Sequence, residues 1–174
     1  MIVRPATLDD AFAVAALYGH HVIHGTGTFE EAPPSPSEIA GRMRAVQDKG
    51  FPWLVVEVEG RIVAYAYAGP YHRRSAYRYT AEDSVYVADE ERGKGYGRAA
   101  LAAVIDACEA MGLRRLLAVI GDSQNEGSIG LHRALGFDFC GTLPGVGYKA
   151  GRWLDVVFMQ LPLNGGDQGA PDER

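Results

Sequence analysis

The chain has 174 residues, 47% of them hydrophobic and 22% charged, which is the size and composition of one globular domain and excludes wholesale disorder or a fibrous array. A formal net charge of -5 makes an overall field that repels phosphate polymers, so a dedicated nucleic-acid binder is not expected and any anion site must be local. No window approaches the ~18 apolar residues of a membrane span, and acidic residues follow Met1-Ile2-Val3-Arg4-Pro5 before a signal-peptide core could form, so neither membrane contact nor export is expected and the chain is placed in the cytoplasm.

Residues 1–5 read as a short strand. Thr7 with Asp10 supplies a capping box for a helix to about His21, with Leu8, Ala11, Phe12 and Ala15 on its inner face. A Gly/Thr/Pro loop over 24–36 carries Phe29 and the acidic pair Glu30 and Glu31. Ser35, Pro36 and Glu38 then open a second helix with Ile39, Met43 and Val46 on one face. Trp53–Val58 and Arg61–Ala68 are β-rich runs joined by Glu59-Gly60, the spacing of a tight hairpin. A third strand is expected at Ala81–Ala88, then a glycine-rich segment, a helix to Met111 with Leu101, Val104, Ile105 and Cys108 inward, and a buried strand at Arg115–Ile120. A helix over about Asn125–Leu135 and two strands, Phe137–Tyr148 and Trp153–Leu161, close a domain of residues 1–163. Residues 164–174 are polar and expected to be a disordered tail. This order predicts an α/β domain with a mixed sheet and helices on both faces.

The segment Arg92-Gly93-Lys94-Gly95-Tyr96-Gly97-Arg98 lies between a strand and a helix start, where backbone amides and the helix dipole face an anion and three cationic side chains add charge. It is neither a dinucleotide fingerprint, because Arg98 stands where glycine is needed, nor a Walker loop, because Gly95 follows Lys94. Cys108 and Cys140 have no metal-ligand spacing, so no metal is expected and both read as reduced core thiols.

Arg92-Gly93-Lys94-Gly95-Tyr96-Gly97 after the strand Asp83-Ser84-Val85-Tyr86-Val87 resembles the pyrophosphate loop of the GCN5-related N-acetyltransferases (GNAT), and Asn125-Glu126-Gly127-Ser128 with Leu131-His132 and Leu135-Gly136-Phe137 resembles their second block. Arg74-Ser75-Ala76-Tyr77, Thr80-Ala81-Glu82 and Gly151-Arg152-Trp153-Leu154-Asp155 are similar to the phosphinothricin and methionine-sulfoximine N-acetyltransferase subgroup, whose members often carry lysine where this chain has His72. The resemblance covers residues 1–162. It implies a mostly antiparallel sheet with a splayed strand pair, acetyl-CoA as co-substrate, direct transfer to the α-amine of a small amino-acid-like compound, and a homodimer.

For the cofactor it points to Val85, Tyr86, Val87, the segment from Arg92 to Arg98, Asn125 and Ser128, and for catalysis to Glu82 as general base and to His132. Arg74, whose guanidinium suits a carboxylate, Tyr77 and Phe29 are the acceptor-site candidates. Other readings stay open: acetylation of a protein N-terminus or an aminoglycoside, or a non-catalytic acyl-CoA sensor.

Overall fold

The computed structural model describes residues 1–171. Seven strands, β1 (Ile2–Pro5), β2 (Trp53–Val58), β3 (Arg61–Pro70), β4 (Thr80–Val87), β5 (Arg115–Gly121), β6 (Asp138–Lys149) and β7 (Arg152–Pro162), form one sheet in the order β1-β2-β3-β4-β5-β7-β6. Only β4 and β5 run parallel; every other pair is antiparallel. Parallel neighbours need a crossover, and α3 (Tyr96–Ala110) provides it.

The two faces follow from strand alternation. Val56, Ala64, Ala66, Ala81 and Ala118 point to one side and pack with Ala100, Leu101, Val104 and Cys108 of α3. Trp53, Val55 and Tyr65 point to the other and pack with α1 (Ala11–His24) and α2 (Pro36–Gln47) through Val14, Leu17, Tyr18, Ile39 and Met43. A short helix, α4 (Glu126–Ala134), follows β5.

Three expectations are corrected. Leu8–Asp10 is a 3-10 turn, and α1 starts at Ala11 and runs to His24. Leu8 and Phe12 face solvent, Phe12 at 74% exposure, because in this alanine-rich helix the bulkier Val14, Leu17, Tyr18 and Val22 define the buried stripe. Cys108 is buried as expected, but Cys140 is exposed on the edge strand. The anticipated Asp10 interaction is present: its carboxylate accepts from the Thr7 amide at 2.8 Å. Arg4 grips both of its oxygens at 2.8 Å, and these bonds hold the Asp10 carboxyl below its ordinary range.

Beyond β7, Leu163 is buried and the Asn164 side-chain amide donates to the Glu109 and Leu113 carbonyls, each at 2.9 Å. Arg114 Nε donates to the Gly166 carbonyl at 2.7 Å. The last three residues of the expected tail, 172–174, lie outside the described residues. Among the described residues no helix is long and apolar enough to cross a membrane.

Candidate functional site

The site is a fork in the sheet. β4 pairs with β5 only from Thr80↔Arg115 to Asp83↔Ala118, while it pairs with β3 as far as Val87. β5 meanwhile stays on β7 through Gly121. Residues 84–87 and 119–121 therefore diverge. Ala88 N donates to Val63 O, so in this register the amides of Glu82, Ser84 and Tyr86 serve the β3 ladder and those of Val85 and Val87 face the gap. The Val87 carbonyl is already taken: it accepts from His21 Nε2 at 2.8 Å.

The open end of the fork runs into the glycine segment. Gly93 and Gly95 adopt φ of 76° and 87°, a left-handed geometry that a Cβ would strain, and Gly95 is the N-cap of α3. Gly97 serves a different need, since a Cβ there would stand 3.0 Å from Val87 Cγ2 and push the helix off β4. The amides of Tyr96, Gly97 and Arg98 start a helix and have no acceptor within it. Side-chain charge contributes less than the sequence suggests: Lys94 and Arg61 are paired to the buried Glu91, at 2.8 and 3.2 Å, and Arg92 to Asp89 at 2.6 Å. Anion affinity here rests mainly on backbone amides and the helix terminus.

Fork, glycine segment and α4 enclose a cavity of about 1020 Å³, at the upper end for small-molecule sites. Of the residues singled out from sequence, Val85, Tyr86, Val87, Arg92, Gly93, Gly95, Tyr96, Gly97, Arg98, Asn125, Ser128 and His132 line it; Lys94, Glu82, Phe29, Arg74 and Tyr77 do not. Asn125 is also the N-cap of α4, its Oδ1 accepting from the Ser128 amide at 3.2 Å. Glu82 sits one residue before the end of the β4–β5 ladder, on the face opposite Asp83 and on the same side as Tyr86 and the α1–α2 layer. It is half-buried, and burial, with the Asp83 charge second, raises its carboxyl above the ordinary glutamate range.

Arg74 and Tyr77 lie exposed on the turn between β3 and β4, where the Tyr77 ring is 5.6 Å from Tyr71 and 5.0 Å from His72. Phe29 lies on the loop between α1 and α2. The sequence reading missed Asp83 and the loop residues Gly25, Thr26 and Gly27, all of which line the cavity.

At the crotch, His132 and Asp83 form a buried pair, Nε2 to Oδ2 at 2.9 Å. His132 Nδ1 lies 2.7 Å from the Ser128 carbonyl, which can only accept, so Nδ1 carries hydrogen and the Nε2–Oδ2 contact holds one proton. Burial pushes the Asp83 carboxyl up, against the opposing pull of His132. For His132, burial lowers the affinity for a proton, but the bonds to Asp83 and Ser128 outweigh it and the net shift is upward. Asp83 Oδ1 is buried and has no hydrogen-bond partner among the described residues.

Residues 20–137 match the acetyltransferase (GNAT) family. The chain belongs to the GNAT family. It is 49% identical to a phosphinothricin N-acetyltransferase of Alcaligenes faecalis over 98% of its own length and 86% of that protein's. It is 40% identical to an L-methionine sulfoximine/L-methionine sulfone acetyltransferase of Pseudomonas paraeruginosa, covering 93% of the chain and 94% of the relative. A crystal structure of a GNAT superfamily phosphinothricin acetyltransferase from Sinorhizobium meliloti, in complex with AcCoA, superposes with a TM-score of 0.95 at 41% identity, over 99% of this chain and 93% of that one. The mixed, mostly antiparallel sheet of this GNAT chain is the architecture the sequence led us to expect.

Proposed function

We propose that this GNAT chain transfers the acetyl group of acetyl-CoA directly to the α-amine of a small amino-acid-like acceptor of the phosphinothricin, methionine sulfoximine or methionine sulfone type. The observation that carries this reading is the fork, a strand whose open amides lead into an amide cradle at one end and back to a half-buried glutamate at the other. Acetyl-CoA supplies an activated acetyl thioester. The cradle from Arg92 to Arg98 suits its diphosphate, the gap between β4 and β5 suits an extended thiol arm, and Asn125 and Ser128 wall that gap.

The chain's own residues then have distinct tasks. Val85 and Val87 direct amides at the gap, where they stabilise oxygen charge as it develops. An α-amine with pKa about 8 is about one-tenth neutral at pH 7, so Glu82 takes the amine proton, directly or through water. Its raised pKa improves it as a base. His132 has both ring nitrogens engaged and is assigned to holding Asp83 and the crotch in place. Arg74 is assigned to the acceptor carboxylate, with Tyr77 and Phe29 as aromatic walls. Neither cysteine lines the cavity, which agrees with transfer without an acyl-enzyme.

The test is thiol release from acetyl-CoA over a panel of free amino acids, methionine sulfone, an aminoglycoside and a peptide. Release with the amino-acid-like amines supports the reading, whereas release only with the peptide or aminoglycoside, or with none, contradicts it. Gly97→Val is expected to weaken acetyl-CoA binding at least about tenfold, since a side chain against Val87 displaces the first turn of α3; isothermal titration measures this.

A homodimer and a cytoplasmic site are part of the proposal. Trp153 (66% exposed), Tyr148 and Phe139 leave apolar side chains uncovered on one face of the β6–β7 hairpin, the kind of surface a second copy covers. Trp153→Glu is expected to shift the mass seen by light scattering from dimer to monomer.

A further inference from the structure

We infer that Gly121, Gly147 and Lys149, none of which the proposed chemistry uses, determine acceptor specificity by seating the Phe29 loop. The inference rests on the acetyl-transfer reading above and names the part of the fold that sets which acceptor fits.

The loop between α1 and α2 crosses from the helical layer to the far ends of β5 and β6. Its first part, Gly25–Gly27, borders the cavity given above to acetyl-CoA, and Phe29, the aromatic wall assigned to the acceptor, stands two residues further on. It lies on the same side of the sheet as Glu82, because its anchors there are Tyr18 of α1, whose hydroxyl is 2.6 Å from Thr28 Oγ1, and Arg42 of α2, which holds Glu30 through contacts of 2.7 and 3.2 Å.

At the sheet ends the loop is seated by shape and by charge. A Cβ at Gly147 would stand 2.4 and 2.6 Å from two Phe29 ring carbons. A Cβ at Gly121 would stand 2.8 Å from the Thr26 carbonyl oxygen and 3.0 Å from both the Gly27 carbonyl oxygen and the ring. The two glycines form a slot that the ring fills; any side chain there expels it. Lys149, buried at the end of β6, donates to the Gly25 carbonyl at 2.9 Å and the Thr28 carbonyl at 2.8 Å, and so clamps the loop at the first cavity-lining residue and just past the last. An ammonium is held in such a place only with acceptors to satisfy it, so the loop carbonyls and Lys149 stabilise each other. Thr26 Oγ1 adds a bond to Asp122 at 2.9 Å.

The test is steady-state kinetics on the full chain with methionine sulfone and with alanine, as a long and a short acceptor, plus titration of acetyl-CoA. For Gly147→Ala and for Lys149→Met we expect the acceptor KM to rise about tenfold or more and the long-to-short preference to change, with acetyl-CoA affinity falling less than the acceptor KM rises. In Phe29→Ala/Gly147→Ala the second substitution is expected to add almost nothing to Phe29→Ala alone, because the displaced ring is gone. This double variant also removes the collision that could stop Gly147→Ala from folding. Unchanged acceptor KM and preference in Gly147→Ala and Lys149→Met, or additive effects in the double variant, would overturn the inference while leaving acetyl transfer by the parent intact. Failure of the parent to acetylate either acceptor would overturn the underlying reading, and the inference with it.

Discussion

Replacing Glu82 by glutamine is expected to lower kcat for amine acetylation by about 10²- to 10⁴-fold, the usual contribution of a positioned base, with acetyl-CoA affinity preserved. The reason is placement. Glu82 is the residue before the crotch of the fork, on the face of the α1–α2 layer, and cannot touch the cradle where the cofactor phosphates would sit. Its carboxyl must be ionised to act, and burial together with the neighbouring Asp83 charge raises its pKa above the ordinary 4.5. The acid limb of kcat/KM should therefore lie above that value and vanish in Glu82→Gln. A second sign follows from the same shift. A carboxyl whose folded pKa is raised opposes folding once pH exceeds its unfolded value, so Glu82→Gln should be at least as stable as the parent at neutral pH. Loss of turnover with retained or increased Tm separates a chemical role from a structural one.

The largest stability effect is expected at Asp83. Asp83→Leu removes one partner of a buried pair and leaves His132 Nε2 with nothing to bond, a change that typically costs about 3–5 kcal/mol. Asp83→Asn keeps an acceptor for Nε2 and should cost much less. The pH dependence tests whether this pair holds an extra proton. Both groups hold protons to higher pH in the folded chain than their ordinary values of 3.8 and 6.5, so between those values and the folded ones the folded state binds more protons than the unfolded. The pair's contribution to stability is then greatest at acid pH and declines as pH rises, first above 3.8 and again above 6.5. Urea denaturation at several pH values should give a flatter profile for Asp83→Asn than for the parent. An identical profile would mean that the pair holds no extra proton.

Much of the fold was legible because it is local. Ser35-Pro36 with Glu38 announces α2, Glu59-Gly60 announces the β2–β3 hairpin, and glycine at positions 93 and 95 fits a backbone that must turn left-handed. The inner face of α1 was misread because alanine fills both sides of that helix, and Leu8 with Phe12 satisfied the period as well as the residues that are in fact buried. Asp83 was hidden because its partner lies 49 residues away. The signal that could have found it is a carboxylate at the period-2 position shared with Ala81 and Val85, on a face otherwise apolar. The seat of Phe29 was out of reach for a similar reason: Lys149 acts on Thr28 across 121 residues, and a glycine in a strand does not say which ring will lie over it.

Lys94 shows the reverse limit. Its charge was visible, but not the buried Glu91 that partly neutralises it. Local sequence thus located the cradle and the candidate base, whereas the contacts that hold the fork and its wall in place depend on residues brought together only by the β4–β5 crossover and the β6–β7 hairpin.

The measurement closest to the centre of this account is acetyl-CoA cleavage followed with and without methionine sulfone, in parallel with mass analysis of the amine. Free thiol and N-acetylated amine are expected in equal amounts, both requiring the amine. Tight acetyl-CoA binding with no amine-dependent thiol release would contradict it and make the fork a binding site without chemistry.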